Sequence, residues 1–311
     1  LMIKSWKKKE VRNFVLFCNE NLLRRYLKKN NIKININNVN NGINNINFKV
    51  TKFNIFDYNA KSNEENSINS LKQSYLQCKY GNFIGIVTLP INKNLIIKKI
   101  SSNFIGHTEY FQNLDGKNVS NMILINKKII VCPLTTHISL KSVPKYISKK
   151  NYIFNKIVSL NETLKYDLNI NNPKLIISGL NPHSGENGKF GNEETKYIIP
   201  EIQRCKNKGI DINGPVSADS CLTSVNMKKY SCFIFLYHDQ ALIPYKYISN
   251  FKGVNYTGNL DVIRTSPDHG TAYDLIGSNK VSNKSLINCF KTTMKIYSNR
   301  NKNNDKGKKI S

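Results

Sequence analysis

The feature that most constrains the fold of this sequence is an alternation of short apolar runs with longer amphipathic stretches. The apolar runs are rich in β-branched and aromatic residues, which favour strands, whereas the stretches between them have helical spacing. The strand-like runs are NFVLFC (13–18), GNFIGIVTLP (81–90), NMILINKKIIVCPLTTH (121–137), PKLIISGLNP (173–182) and YSCFIFLYHDQ (230–240). The helix-like stretches are NENLLRRYLKKN (19–30), VSLNETLKYDLNI (158–170) and EETKYIIPEIQRCKNKG (193–209). This alternation predicts an α/β protein whose central strands are mostly parallel.

Two segments depart from this pattern. Residues 30–48 are rich in Asn and have no clear period, so we treat them as a surface elaboration. The tail of the chain is polar and rich in Lys and Asn, and we expect its last ten or so residues to be disordered.

Length and cysteine usage narrow the class of protein. The chain has 311 residues, 40% of them hydrophobic, which is enough for one large domain or two medium ones. It contains no apolar run long enough for a transmembrane helix, and its basic start lacks the apolar core of a signal peptide. The seven cysteines are odd in number, widely spaced and without a CxxC pair. This usage indicates reduced thiols rather than a disulfide framework, so we expect a cytoplasmic protein.

The formal net charge of +27 raises the question of nucleic-acid binding. The excess Lys is spread evenly among Asn and Ile, without a basic stripe or an aromatic platform. Specific nucleic-acid binding is therefore an unfavoured alternative. The positive field nevertheless attracts small anionic molecules.

The five histidines all lie in clusters of Gly, Pro, Thr, Asp or Asn that follow or adjoin an apolar run. They are His107, His137, His183, His238 and His269. Any one of them alone is more simply explained as a hydrogen-bonded structural residue. Three of them, His137, His183 and His238, each follow a strand-like run, and parallel strands bring their carboxyl ends to one edge of a sheet. Three converging imidazoles with an open position are an arrangement that binds a catalytic divalent metal.

Other residues suit an anionic substrate. Lys246 follows His238 by eight residues and is expected beyond the turn after the strand, and Arg264 precedes the segment that contains His269. The glycines of SGENGKFGNEE (184–194) allow backbone N–H groups to approach a phosphate. Neither a GxGxxG dinucleotide fingerprint nor a Walker-type phosphate loop occurs, so the sequence identifies no cofactor-binding residues.

Seven motifs in the same chain resemble, in order, those of the 4-hydroxythreonine-4-phosphate dehydrogenase family of vitamin B6 biosynthesis. They are GIVTLPINK (85–93), GHTEYF (106–111), LTTHISL (134–140), SGLNPHSGENGKFGNEE (178–194), NGPVSADS (213–220), YHDQALIPYK (237–246) and VIRTSPDHGTAYDL (262–275). They span most of the chain from about residue 80 to 290. Together the motifs are specific, whereas any single one is not.

The resemblance implies an α/β fold of the isocitrate/isopropylmalate-dehydrogenase-like type, with two α/β lobes around a cleft. Residues 1–103 together with 255–311 would form the first lobe, and residues 104–254 the second, with the metal ligands and dimer contacts. The resemblance also implies a homodimer whose active site lies at the subunit interface. The glycine loop with which family members open has no counterpart here, so we expect the first lobe to lack it and its strand.

The family's site residues carry over to matching positions of this chain. The resemblance makes His137, His183 and His238 ligands of a divalent metal, which is Zn, Mg, Mn or Co. It makes His107, Thr108, Lys246, Asn255 and Arg264 substrate contacts. Asp219 matches an acidic residue near the site, and Asp219 and Lys246 are both candidates for the proton acceptor. Asp261 lies close to Arg264 in sequence and would reduce the effect of its charge.

The implied reaction oxidises the C3 hydroxyl of 4-phosphooxy-L-threonine with NAD or NADP. The resulting β-keto acid then loses CO2 to give 3-amino-2-oxopropyl phosphate. Two alternatives stay open: a sister dehydrogenase acting on threonate or erythronate 4-phosphate, and a decayed homologue that binds ligands without turnover.

Overall fold

A computed structural model describes residues 1–43, 46, 48, 52–99, 104–270 and 282–308 of the chain. Its strands are β1 (Leu16–Phe17), β2 (Ile36–Asn38), β3 (Phe53–Phe56), β4 (Ile86–Val87), β5 (Asn121–Ile125), β6 (Ile130–Pro133), β7 (Leu175–Ser178), β8 (Ile212–Val216), β9 (Cys232–Phe235), β10 (Val254–Gly258) and β11 (Arg264–Pro267). Its α-helices are α1 (Met2–Lys7), α2 (Glu20–Lys29), α3 (Asn63–Lys79), α4 (Lys93–Lys99), α5 (His107–Leu114), α6 (Val143–Ile147), α7 (Tyr152–Tyr166), α8 (Ile199–Asn207), α9 (Ala218–Cys221), α10 (Ser224–Lys229), α11 (His238–Ser249) and α12 (Lys284–Lys308).

The main sheet has eight strands in the order β4-β11-β10-β5-β6-β9-β7-β8. The strands β6, β9, β7 and β8 are parallel, as predicted. Strands β4 and β11 also pair parallel, so the prediction of mostly parallel strands is confirmed, although β11–β10, β10–β5 and β5–β6 pair antiparallel. Short connections explain two of the antiparallel pairs: residues 126–129 join β5 to β6, and residues 259–263 join β10 to β11. Such connections close hairpins but are too short for a parallel crossover.

Buried apolar residues cover both faces of the main sheet. On one face, Leu160 and Leu164 of α7 and Ile202 of α8 pack against β7 and β9. On the other face, Ala241 and Tyr245 of α11 pack against a second cluster. This layering holds the ends of the strands in fixed positions and so fixes the loops that follow them.

A separate parallel sheet has the order β1-β3-β2. Its strand β2 and the buried Val39 lie within residues 30–48, so treating that segment as a surface elaboration was wrong. The alternate side chains of β3 are buried in a small core with Cys18, and this core gives the segment its order. Residues 44, 45 and 47 lie outside the described part of the chain.

The ends of several elements differ from expectation. Helix α12 continues to Lys308, so the expectation of a disordered tail is wrong for that stretch, while residues 309–311 lie outside the described residues. The helix predicted over 193–209 is confirmed: a turn of π-helix, Glu194–Ile198, leads into α8, and Gly209 follows with φ +81°.

No helix among the described residues combines the length and apolar character needed to cross a membrane. All seven cysteines are free.

Candidate active site

A cavity of about 300 Å³ lies beside the end of the main sheet where β4, β10 and β11 meet helix α5. It is lined by Leu89, Pro90, Ile91, His107, Thr108, His137, Asn255, Arg264, Ser266, Pro267, His269 and Gly270. A larger cavity of about 470 Å³, beside the three-stranded sheet, is lined by Trp6, Arg24, Leu27 and residues 32–36. The larger cavity contains none of the predicted site residues, whereas the smaller one contains five. The chemistry therefore favours the smaller cavity.

Strand pairing accounts for the polar wall of this cavity. In the antiparallel pair β10–β11, Asn255 lies opposite Ser266 and Thr257 lies opposite Arg264. Because side chains alternate between the faces of a strand, these four residues point to the same face. The Oδ1 atom of Asn255 is buried and has no hydrogen-bond partner. Such an atom is an acceptor left available for a ligand.

Arg264 is buried, with 2% of its surface exposed. Its Nε and Nη2 atoms donate to the Thr88 hydroxyl at 3.0 and 2.7 Å, and Nη1 donates to the Thr257 hydroxyl at 3.0 Å. Burial lowers the pKa of Arg264 to about 10, which leaves the guanidinium charged at neutral pH. Within the described residues no carboxylate forms an ion pair with Arg264. A buried cation held only by neutral hydroxyls is a receptor for an anion.

Asp261 does not reduce the charge of Arg264, as the sequence suggested it would. Its carboxylate instead pairs with Lys79 at 2.9 Å and with Lys117 at 2.6 Å. Hydrogen bonds from Lys117 and Lys79 lower the pKa of Asp261. The backbone turn between β10 and β11 directs the two side chains apart, because Asp261 lies in the exposed connection and Arg264 starts the buried strand.

Helix α5 places His107 and Thr108 at the cavity. It begins at His107 directly after Gly106, so both residues lie in its first turn. The N–H groups of that turn have no partner within the helix and carry its positive end. Thr108 is 7% exposed, so its hydroxyl faces the interior. The predicted contacts His107 and Thr108 thus share one wall with Asn255 and Arg264.

His137 and His238 are brought together by a contact between two strand ends. The Thr135 hydroxyl, just after β6, donates to the carbonyl of Leu236, just after β9, at 2.7 Å. His137 lies two residues after Thr135, and His238 lies two residues after Leu236. The ring centroids of His137 and His238 lie 5.9 Å apart. The convergence predicted for these two histidines is found.

A carboxylate holds the Nδ1 atom of each of these rings. His137 Nδ1 lies 3.0 Å from Oε1 of Glu109, and His238 Nδ1 lies 2.7 Å from Oδ1 of Asp239. Since an ionised carboxylate only accepts, Nδ1 carries the proton and Nε2 presents its lone pair. Imidazoles held in this way are typical metal ligands. Gln240, by contrast, bonds to Leu236, Ser178 and Gly179 and so fixes the turn between β9 and α11.

In the described part of the chain His183 has no such ring contact with this pair, and its ring instead lies 6.1 Å from that of Phe190. It starts five successive residues, 183–187, with positive φ between 42° and 81°, in a strained left-handed turn. The buried carboxylate of Glu194 anchors this turn by accepting the N–H groups of Leu180 and Asn181, both at 2.8 Å. No three His, Cys, Asp or Glu side chains in the described parts of the chain are grouped closely enough to hold a metal ion.

The two predicted candidates for proton acceptor also lie outside the cavity lining. Asp219 is exposed; a hydrogen bond from Ser217 chiefly lowers its pKa, and the nearby His183 adds to this effect. Lys246 was expected beyond a turn, but it lies within helix α11, two turns from His238, with its ammonium 5.6 Å from the centre of the Phe251 ring. That expectation was wrong because the segment from His238 onward continues as a helix.

Sequence patterns assigned no role to three residues that lie in the cavity wall or next to it. Thr88 holds Arg264, Glu109 holds His137, and His269 lines the cavity. Glu109 and His269 lie inside motifs that already carried an assigned residue, whereas the motif that contains Thr88 carried none. Their partners lie far away in sequence, and only the folded chain reveals them.

Comparisons with known proteins show the family of this chain. A family model described as "Pyridoxal phosphate biosynthetic protein PdxA" matches residues 10–293. The chain is 32% identical over 295 residues to a 4-hydroxythreonine-4-phosphate dehydrogenase from Sulfurihydrogenibium sp., covering 92% of this chain and 90% of that protein. It is 40% identical over 215 residues to the enzyme of that name from Aquifex aeolicus, covering 68% of this chain and 64% of that protein.

A solved structure of a similar protein has the same fold as this chain. The crystal structure of 4-hydroxythreonine-4-phosphate dehydrogenase from Klebsiella pneumoniae superposes with a TM-score of 0.79 at 26% identity, covering 94% of this chain and 93% of that chain. This likeness confirms the predicted α/β fold of the isocitrate/isopropylmalate-dehydrogenase-like type.

Proposed function

The chain belongs to the PdxA family of pyridoxal phosphate biosynthetic proteins, and from this premise we propose that it is a 4-hydroxythreonine-4-phosphate dehydrogenase. It is an oxidoreductase that acts on a CH–OH group. Its substrate is 4-phosphooxy-L-threonine, and its oxidant is NAD or NADP. Oxidation at C3 gives a β-keto acid, which loses CO2 to form 3-amino-2-oxopropyl phosphate.

The observation that carries this proposal is the buried guanidinium of Arg264 in a cavity that His137 also lines, and the His137 ring lies 5.9 Å from that of His238. Of its five N–H groups, three bond to threonine hydroxyls, which leaves two for a ligand. A phosphate or carboxylate accepts two parallel N–H bonds from an arginine. His107, Thr108 and Asn255 supply further polar contacts around the same ligand.

The donors near this cavity fit a divalent metal. His137 and His238 each present an Nε2 lone pair, because a carboxylate holds Nδ1. Neutral imidazole suits Zn and comparable transition metals such as Co, and Mn and Mg stay among the candidates through oxygen atoms of the substrate. When bound, such a metal lowers the pKa of a coordinated hydroxyl and polarises the ketone that forms from it. Arg264 holds the anionic group, and the first turn of α5 orients the substrate beside it.

We further propose that a homodimer completes the site. His183, Asp219 and Lys246 are proposed site residues, yet none of them lines the cavity of its own chain. Large apolar side chains are exposed on the helix of Lys246 and just after it: Ile243 at 71%, Tyr247 at 89% and Phe251 at 55%. Such a stripe is typical of a surface that a partner covers. A second copy brings its own His183 turn with it, and a third imidazole completes a common catalytic metal site.

We propose the two lobes that the sequence predicts. One lobe contains residues 1–103 and 255–311, and the other contains residues 104–254. The main sheet continues across this boundary, because β10 pairs with both β5 and β11. The cavity lies where the proposed lobes meet, since His107 and His137 come from one and Asn255 and Arg264 from the other. The free cysteines support a reducing, cytoplasmic location.

The test of this proposal is turnover by the purified chain with a divalent metal and NAD or NADP. The expected result is formation of reduced nicotinamide with 4-phosphooxy-L-threonine as the preferred substrate. Threonate and erythronate 4-phosphates serve as the amine-free comparison. Turnover restricted to the amine-free acids would favour the sister activity, and metal binding without any turnover would favour a decayed homologue.

A further inference from the structure

Two buried threonines hold the guanidinium of Arg264 from outside the cavity. The hydroxyl oxygen of Thr88 accepts from Nε at 3.0 Å and from Nη2 at 2.7 Å, so both of its lone pairs are used. The hydroxyl of Thr257 accepts from Nη1 at 3.0 Å. Both threonines and the arginine are buried. Three contacts of this kind fix the position and the plane of the guanidinium.

These contacts determine which N–H groups of Arg264 a ligand can reach. An arginine has one N–H at Nε and two at each Nη atom. With Nε–H bonded to Thr88, the donors left over among the described contacts are one on Nη1 and one on Nη2. The Nη2 proton on the side of Nε also bonds to Thr88, so the other Nη2 proton lies on the side of Nη1. The Nη1–Nη2 end of the guanidinium is therefore left for an anion.

We propose that Thr88 is a positioning residue that makes Arg264 bind the substrate anion through Nη1 and Nη2. This inference rests on the proposed dehydrogenase function and names the residue that orients its anion receptor. Leu89, Pro90 and Ile91 line the cavity, whereas Thr88, which directly precedes them, does not. Thr88 therefore acts on the substrate through Arg264 and not by contact.

The backbone of Thr88 is itself fixed against β11. Its N–H donates to the carbonyl of Thr265 at 3.0 Å, which extends the parallel pairing of β4 and β11. Gly85 allows this close approach, because a Cβ atom there would lie 2.9 Å from the carbonyl oxygen of Ile263 and 2.6 Å from Cγ2 of Thr293. Backbone contacts thus hold the Thr88 hydroxyl in place before any ligand binds.

Loss of the Thr88 oxygen leaves two buried N–H groups of Arg264 without an acceptor. A buried donor that loses its partner carries the cost of its desolvation, so the guanidinium is driven to turn towards other acceptors. A carboxylate lies within electrostatic range of it: burial lowers the pKa of Arg264, and the charge of Glu109 opposes that effect. A guanidinium that turns in this way no longer presents its Nη1–Nη2 end to the cavity. Affinity for the anion then falls although the arginine is retained.

The first test replaces Thr88 with Val, which keeps the branched shape but removes the oxygen. Affinity for inorganic phosphate and for 4-phosphooxy-L-threonine, measured by calorimetry, is expected to fall about tenfold or more. In steady-state kinetics, most of the loss in kcat/KM is expected in KM. Thr88→Ser restores the acceptor oxygen and should bind both ligands within about threefold of wild type.

Thr293→Val is the matched control for this substitution. The Thr293 hydroxyl is also buried, but it bonds to the neutral hydroxyl of Thr265 at 2.9 Å and lies outside the cavity lining. Affinity for phosphate is expected to match wild type in this variant. Affinity that is unchanged in Thr88→Val, or that falls equally in Thr293→Val, would overturn the proposal. So would a Thr88→Ser protein that binds as weakly as Thr88→Val, because the loss would then come from packing.

A crystal structure of the wild type with inorganic phosphate tests the orientation directly. We expect phosphate oxygens within hydrogen-bond distance of Nη1 and Nη2 of Arg264 and none at Nε. A phosphate bonded to Nε, or no phosphate at Arg264, would overturn the proposal. If phosphate binds as expected but the wild type neither binds nor oxidises 4-phosphooxy-L-threonine, the proposed function fails instead.

Discussion

Arg264 and Thr88 are 176 residues apart in sequence, yet one threonine oxygen accepts two hydrogen bonds from the guanidinium, at 3.0 and 2.7 Å. The pairing of β4 with β11 makes this contact, because Thr88 follows β4 directly and Arg264 starts β11. The contact fixes a buried cation at the wall of the cavity without neutralising it. In the proposed function, a phosphorylated substrate supplies the missing negative charge.

The first prediction concerns this cation. Arg264→Gln removes two charge-assisted hydrogen bonds to the substrate anion, each worth about 1.5–3 kcal/mol, so substrate affinity should fall about 100-fold or more. Calorimetric titration with the phosphorylated substrate measures this change. Arg24→Gln is the matched control, since Arg24 lies exposed and pairs with Glu20 at 2.6 Å, far from the cavity. Equal affinity in the Arg264 variant and the control would contradict the assignment.

The second prediction concerns the carboxylate behind His137. Glu109→Ala releases the Nδ1 proton of His137, so the affinity for a divalent metal should fall about 10–100-fold. Glu109→Gln keeps an acceptor oxygen and should lose less. Competition titration with a chromogenic chelator measures the affinity without requiring turnover. Glu20→Gln, on α2 and outside the cavity lining, serves as the control and should match wild type. Unchanged metal affinity in Glu109→Ala would exclude this carboxylate from the metal site.

The third prediction concerns the exposed stripe on α11. Tyr247→Glu places a charge where the proposed dimer buries an aromatic ring from each copy. Burial of one such side chain is worth about 1.5–3 kcal/mol, so losing two should weaken the dimer about 100-fold or more. Light scattering after size exclusion measures the mass. Tyr80→Glu, at a site 69% exposed at the end of α3, should stay dimeric. A monomeric wild type, or a Tyr247→Glu protein that stays fully dimeric, would contradict the dimer.

The fourth prediction concerns stability. Asp167 accepts from Nε of Arg300 at 2.6 Å, with side-chain exposures of 4% and 16%, and this pair ties α12 to the end of α7. Asp167→Ala leaves Arg300 buried without its anion, which should lower the free energy of unfolding by about 3–5 kcal/mol. Urea denaturation followed by circular dichroism measures the loss. Asp305→Ala, at an exposed position of α12, should change little. A loss below about 1 kcal/mol for Asp167→Ala would show that the pair is not needed.

Local sequence patterns predicted the strands that carry the site, because apolar runs encode burial over a few residues. They also predicted that His137 and His238 converge, since both follow parallel strands. The patterns did not predict the three antiparallel pairs of the sheet, two of which follow from short connections and one, β10–β5, from the packing of distant segments. Neither did they predict that Glu109 holds His137 or that Arg264 avoids Asp261. Such contacts depend on how distant elements pack, and no short pattern encodes that packing.

His183 illustrates the same limit. Its motif predicted a role at a strand end, and the residue does follow β7. The left-handed turn that carries it depends on the buried carboxylate of Glu194, which lies eleven residues further along. Whether this turn serves its own cavity or that of a second copy is a property of the assembly.

The central claim is that this chain oxidises a phosphorylated hydroxy amino acid with the aid of a divalent metal. The most direct measurement follows reduced nicotinamide and released CO2 after the purified protein has been treated with a chelator and dialysed. The account predicts no turnover of 4-phosphooxy-L-threonine by the metal-free protein. Added Zn, Mn, Co or Mg should restore both products in equal amounts. Turnover that survives complete metal removal, or none with any of the four ions, would contradict it.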